Sequence, residues 1–259
     1  MNKPAVSVII PCFNMGNYVV ESVDSALAQT YSDLEIIVVN DGSTDDLTND
    51  VLENLDRPRT RVLHTENRGL PAARNLAIQH SEGRYICALD ADDRLHPQFL
   101  EKTIAILDRE PEIAFVSTWL EAFGTESWVW RQERCDFPAL LAECTVLTAS
   151  PFRKEIIDEV GGYDTKMPYQ GEEDWDFWIS LVERGYKGTI IPEVLFYYRQ
   201  RPDSMRRMCE QPERRKQLRK YIIDKHSNTY RRFSSEVYEL EEQKCGAILR
   251  ENLKLEKEI

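Results

Sequence analysis

Two stretches, VSVIIP at 6–11 and LEIIVVN at 34–40, are apolar at nearly every position rather than at alternate ones. A strand with one wet face alternates, whereas an unbroken run bounded by turn residues fits a strand covered on both faces, as in a parallel sheet. Between the two, Asn17–Gln29 carries Val19, Val20, Val23, Ala26 and Leu27 at helical spacing. The alternation continues with a short strand at Arg61–Thr65, a helix at Leu70–His80, a strand at Arg84–Leu89 and a proline-opened helix at Pro97–Asp108. This order predicts an α/β protein with a Rossmann-like, mostly parallel central sheet flanked by helices. Such sheets bind ligands beyond the C-terminal ends of their strands.

The polar residues gather at those ends. Phe13 and Asn14 follow the first strand, and Asp41 ends the second within DGSTDD, a glycine turn whose Ser, Thr and Asp residues suit a helix cap. The fourth strand runs into Asp90, Asp92 and Asp93 of ICALDADD. Carboxylates this close repel, and each costs free energy to desolvate unless a cation sits among them. A solvated turn is the plain alternative.

Further along, the sequence predicts strands at 113–118 and 144–150 around a Trp-bearing stretch, SWVWRQ. A helix is expected at Arg153–Val160, ended by Gly161-Gly162. Another follows GEED, with Trp175, Trp178, Ile179 and Val182 on its apolar stripe and Gly185 as its stop, before a final strand at Thr189–Tyr198. From Met205 onward the chain is highly charged, with an irregular heptad. It reads as a helical extension, 205–259, packing on the 1–204 domain or on a second subunit.

Charge separates these parts. The net charge of −12 divides into 19 Lys+Arg against 35 Asp+Glu up to residue 204, and 14 against 10 beyond it. So acidic a body argues against a nucleic-acid partner, while the basic tail suits either a membrane surface or a packing role. No apolar run reaches the roughly 20 residues of a membrane span, and the run after Lys3 is too short for a signal peptide. Six scattered cysteines show no CxxC pair; Cys12 and Cys87 read as small core residues, and a cytoplasmic location is expected. The four histidines are isolated and read as surface or capping residues. GxxxxGK[ST], GxGxxG after the first strand and GxSxG are all absent.

Seven motifs in order, VSVIIPCFN, VNDGSTDD, NRGLPAARN, LDADD, VGGYD, GEEDWDFWISL and YRQRPDSM, resemble the inverting nucleotide-sugar glycosyltransferases of family 2, which have the GT-A fold. The likeness covers residues 4–205. It implies that Pro11, Phe13 and Asn14 line the nucleotide and that Asp41 takes the N–H of a uracil or thymine base, unless it is a turn residue. Arg74 would serve the base or the diphosphate, or else form a surface ion pair. Asp92 would bind Mn²⁺ or Mg²⁺ across the diphosphate, with Ala91 beside it and Asp90 reaching the ribose or the metal. Asp93 reads better as a helix cap. Asp174 of the Glu173-Asp174 pair would be the general base, Glu172 and Asp176 would complement the helix dipole, and Glu173 and Trp175 would meet the acceptor, unless Trp175 is core as Trp178 is.

One departure stands out. Relatives often carry a His in YRxHxxSM, where this chain has Arg201, which can neutralise a diphosphate but cannot ligate a metal. No QxxRW follows the Glu-Asp pair, so a processive synthase fits poorly. The expected activity is metal-dependent, inverting, non-processive transfer from a UDP- or dTDP-sugar donor to a glycan or glycolipid hydroxyl, in surface polysaccharide synthesis. The rivals are a non-catalytic nucleotide-sugar-binding module and a nucleotidyltransferase, whose Gly-rich signature is missing.

Overall fold

The structure is a computed structural model that describes residues 3–209 and 211–258, with side chains as far as 246. In chain order it runs β1 (Val6–Cys12), α1 (Val19–Leu27), β2 (Leu34–Asp41), α2 (Asp46–Glu53), β3 (Thr60–Thr65), α3 (Leu70–His80), β4 (Tyr85–Ala88), β5 (Arg94–Leu95), α4 (Phe99–Arg109), β6 (Ile113–Gly124) and β7 (Trp128–Trp130). There follow α5 (Ala139–Ala142), β8 (Phe152–Arg153), α6 (Ile157–Val160), α7 (Glu173–Glu183) and β9 (Lys187–Gln200). Then come α8 (Met205–Cys209), α9 (Pro212–Lys225), α10 (Ser227–Arg232) and α11 (Ser234–Glu258).

The sheet order is β3-β2-β1-β4-β8-β6-β9-β5, with β7 paired to β6. Strands β1 to β4 are mutually parallel, β6 and β9 are parallel to each other, and the two-residue β8 bridges the halves antiparallel to both β4 and β6. Every residue of β1 and β2 is buried. Successive side chains point to opposite faces, so Val6, Val8 and Ile10 pack with α1 and α4 on one side while Ile9, Ile37 and Val39 pack with α3 and α7 on the other. That two-sided burial is why the runs are apolar throughout. Cys12 and Cys87 lie in the core as expected.

Two predicted elements differ. Residues 144–150 form a loop rather than a strand, because its polar groups are met by other partners: Ser117 Oγ accepts from the Leu147 N–H at 3.1 Å and the Cys87 thiol donates to the Ala149 carbonyl at 3.2 Å. The expected helix at Arg153–Val160 is a strand residue, a 3₁₀ turn and a single α-helical turn.

Helix α9 docks on the body by charge. His226, read as a surface or capping residue, does cap the end of α9 but is only 4% exposed and bridges two α7 carboxylates, Asp176 through Nε2 at 3.0 Å and Glu183 through Nδ1 at 2.8 Å. Lys225 reaches Asp164 at 2.6 Å and Asp176 at 2.8 Å, so Asp176 serves the tail more than the helix dipole. Leu218 and Ile222 of α9 are buried beneath these pairs. No helix among the described residues is long and apolar enough to cross a membrane.

Burial opposes charging the His226 ring, but its bonds to Asp176 and Glu183 outweigh that and raise its pKa above 6.5. A raised folded-state pKa gives stability that is complete below the unfolded value and is lost as pH climbs through the folded one. The urea midpoint of the wild type should therefore exceed that of His226→Gln by more at pH 6 than at pH 9. A gap of equal size at both would contradict this account of the docking.

Candidate active site

A cleft of about 1010 Å³ opens at the C-terminal ends of β1, β2 and β4 and runs to the N-terminus of α7. Its first wall is the end of β1. Phe13 is 39% exposed there, and Asn14 takes the left-handed conformation (φ 55°) that Asn tolerates better than most residues. The Asn14 carboxamide accepts from the Thr44 N–H at 2.8 Å and so ties β1 to the DGSTDD turn, where Asp45 caps α2 through the Thr48 N–H at 2.7 Å. Asp41 is 3% exposed and its two oxygens each accept a backbone N–H at 2.9 Å, from Arg68 and Gly69 in the loop that leads into α3.

Beyond α3 lies a buried relay of charge. Arg74, 1% exposed, donates Nη2–H to Asp90 Oδ1 and Nη1–H to Glu173 Oε1, both at 2.7 Å, while Glu173 Oε2 accepts the Gly171 N–H at 2.6 Å. The Tyr163 ring lies 5.2 Å from the guanidinium. Burial alone would favour a neutral Arg74, but Asp90 and Glu173 outweigh it and hold the charge on. A second pair closes the other side, where Arg201 Nε donates to Asp92 Oδ2 at 2.8 Å. Burial and then Asp90 raise the Asp92 pKa, against the pull of Arg201.

Asp174 stands across the cleft. Its Oδ2 accepts the Thr148 hydroxyl at 2.5 Å and its Oδ1 the Trp175 N–H at 2.8 Å. Burial, reinforced by Glu173, pushes its pKa to about 6, although Arg74 and the two hydrogen bonds hold it down. Glu172 goes further, to about 7, through burial and then Asp174 and Glu173, with Arg219 and Arg215 opposing. A carboxyl poised near neutrality beside an open cleft can accept a proton at physiological pH.

Residues 7–169 match the sequence profile described as Glycosyl transferase family 2. The chain belongs to that family. Among its relatives, an uncharacterized glycosyltransferase of Rickettsia bellii is 42% identical over 73% of this chain and 28% of its own length. The Escherichia coli enzyme WfaP, a UDP-Glc:α-D-GlcNAc-diphosphoundecaprenol β-1,3-glucosyltransferase, is 29% identical over 75% of this chain and 76% of its own. Among solved structures, Staphylococcus aureus TarS 1–349 in complex with UDP-GlcNAc superposes with a TM-score of 0.64 at 18% identity, covering 77% of this chain and 59% of that one. The mannosyltransferase PcManGT of Pyrobaculum calidifontis, in complex with GDP-Man and Mn²⁺, gives 0.62 at 22% identity over 88% and 65%. These likenesses give the fold, GT-A.

Within this family 2 glycosyltransferase the cleft is lined by Pro11, Phe13, Asn14, Asp41, Arg74, Asp90, Ala91, Asp92, Arg201, Glu173 and Asp174 of the residues singled out in the sequence. Trp175 is not among them. It is 4% exposed in the core, its Nε1–H donating to the Leu140 carbonyl at 2.6 Å, because its position on α7 points under the sheet with Trp178. Glu173, expected at the acceptor, is a strut with both oxygens engaged. Arg74 is neither a surface ion pair nor free to embrace a diphosphate with its engaged nitrogens. Asp93 caps no helix: 2% exposed, it accepts the Arg199 N–H of β9 at 2.7 Å. Glu172 and Thr148 were missed, the one read as dipole complement and the other hidden in an apolar segment that resembles a strand.

Removing one partner from a buried ion pair strands the other charge and costs about 3–5 kcal/mol. Arg74→Met should lose at least that much unfolding free energy in urea. Arg74→Lys should recover little, since one compact ammonium cannot span Asp90 and Glu173 as the forked guanidinium does. A loss below about 1 kcal/mol for Arg74→Met would show that the relay carries no stability.

Proposed function

We propose that this glycosyltransferase moves a sugar from a UDP- or dTDP-linked donor to a hydroxyl of a glycan or glycolipid acceptor, with inversion and one sugar per encounter, in surface polysaccharide or glycoconjugate synthesis. The observation that carries the reading is the division of the cleft, with Asp90 and Asp92 beside Arg201 on one side and Asp174, at a pKa of about 6, on the other.

On the donor side, Phe13 is exposed to stack on a base, and Asp41 keeps lone pairs for the imide N–H of uracil or thymine after accepting its two backbone bonds. The uridine donor in the WfaP name and the UDP-GlcNAc bound to TarS support that choice. Oδ2 of Asp90 and Oδ1 of Asp92 lie outside the arginine pairs and are hard oxygen donors of the kind Mg²⁺ and Mn²⁺ take. Among the described residues no group of three His, Cys, Asp or Glu is arranged for a metal, so diphosphate oxygens and water would complete the coordination. That fits an ion carried with the donor, as the Mn²⁺ complex of PcManGT also suggests. A bound cation would stabilise the charge developing on the leaving diphosphate, and Arg201 supplies positive charge to the same place.

In the transfer, the acceptor oxygen bonds to the anomeric carbon while that carbon's bond to the phosphate oxygen breaks, and the nucleoside diphosphate leaves with the electron pair. The hydroxyl proton passes to Asp174. Only the carboxylate form can take it, so kcat/KM should rise as pH climbs through about 6.

The deciding experiment pairs turnover with donor binding across a panel of nucleotide sugars, with Mn²⁺, Mg²⁺ or EDTA. Asp174→Asn should lower kcat by about 10²–10⁴-fold and leave donor affinity nearly unchanged, whereas Asp92→Ala should weaken donor binding and abolish its metal response. A nucleotide-sugar-binding module would show no turnover to lose. Donor binding indifferent to both metal and Asp92 would sink the reading of the carboxylate pair.

A further inference from the structure

We infer that Thr148 is a positioning residue for the transfer: its hydroxyl clamps the Asp174 carboxylate in the orientation that faces the acceptor. The inference rests on the reading of Asp174 as the base. A carboxylate on a helix N-terminus can turn about its terminal torsion, and nothing in the helix fixes both oxygens at once. Here both are fixed from different directions. The Trp175 N–H holds Oδ1 from within α7, and the Thr148 hydroxyl holds Oδ2 from the neighbouring 144–150 loop.

The clamp is only as firm as the loop that bears it, and that loop is pinned at several points. Ser117 Oγ on β6 accepts the Leu147 N–H at 3.1 Å, the Cys87 thiol on β4 donates to the Ala149 carbonyl at 3.2 Å, and the Ser150 N–H closes on the Leu147 carbonyl at 3.0 Å. Val146, Leu147 and Ala149 are buried, while Thr148, like Cys144 at the start of the loop, is half-buried on the cleft. The segment that reads as a strand is therefore a rigid arm from the sheet to the base. Each Asp174 oxygen keeps a further lone pair, so the clamp orients the group without consuming it.

The bond also acts on the proton equilibrium, because a donor to the charged form favours that form. Other charged and titratable groups face Asp174 as well: Glu172 and Glu173 on α7, Arg74 on α3, Tyr163, Cys144 and Cys209. All remain in place when the hydroxyl is removed, so Thr148→Val isolates its effect while preserving the β-branched shape.

The test follows the Asp174 carboxyl by ¹³C NMR titration in wild type, Thr148→Val and Thr148→Ser, assigned against Asp174→Asn, and measures the pH profile of turnover for each. In Thr148→Val the Asp174 midpoint should rise by about one unit. The acid limb of kcat/KM should move up with it, kcat at pH 6.5 should fall by about the threefold that the shift alone dictates or more, and donor affinity should hold; Thr148→Ser should restore all of these to within about twofold. An unshifted midpoint in Thr148→Val, a shifted midpoint with an unmoved acid limb, or a serine variant as impaired as the valine one would each overturn the inference. Failure of the base reading itself appears separately, as Asp174→Asn retaining turnover.

Discussion

The guanidinium of Arg74 joins the two sides of the cleft. It is buried, it faces Asp90 at the end of β4, and it faces Glu173 at the start of α7. Two carboxylates brought this close without it would repel in a poorly solvated place, and α7 would have no electrostatic reason to present its N-terminus to the sheet edge. Arg74 is itself placed by α3, and Asp41 holds the loop leading into that helix through the Arg68 and Gly69 amides. A chain of contacts thus runs from the end of β2, through α3, to the residues beside both the carboxylate pair and Asp174.

Each carboxylate in the cleft is answered differently, and the differences sort their roles. Asp93, through Oδ1 on the Arg199 N–H, and Glu173, through both oxygens, are tied into the framework. Asp90 and Asp92 are each half committed and keep an oxygen toward the cleft. Asp174 and Glu172 are pushed toward neutrality by burial and by neighbouring carboxylates, and both line the cleft. One kind of group is thus a strut in one place and is left free to meet a cation or a proton in another, according to what surrounds it.

Much of this was legible in the chain. Unbroken apolar runs mean strands covered on both faces, that implies a doubly wound sheet, and the sheet edge then collects Asn14, Asp41 and Asp90. What escaped depended on partners far away in sequence. His226 looked isolated because Asp176 and Glu183 meet it only when α9 folds back on α7. Arg74 read as a ligand of the base or diphosphate, or as a surface ion pair, because its burial as a strut needs two acids that lie 16 and 99 positions away. Trp175 was ambiguous since helical spacing gives a stripe but not which way the stripe turns. Thr148 sat in CTVLTAS, where local apolarity suggests a strand and only the pinning side chains of β4 and β6 make it a loop.

A donor bound beside Asp90 and Asp92, with Asp174 as the base, would react by a single displacement at the anomeric carbon. The most direct check is the anomeric configuration of the newly formed product, read by ¹H NMR at early times from an α-linked nucleotide-sugar donor. A β-linked product is the predicted result. An α-linked product would mean retention, and would contradict the assignment of Asp174 as the base of a single displacement.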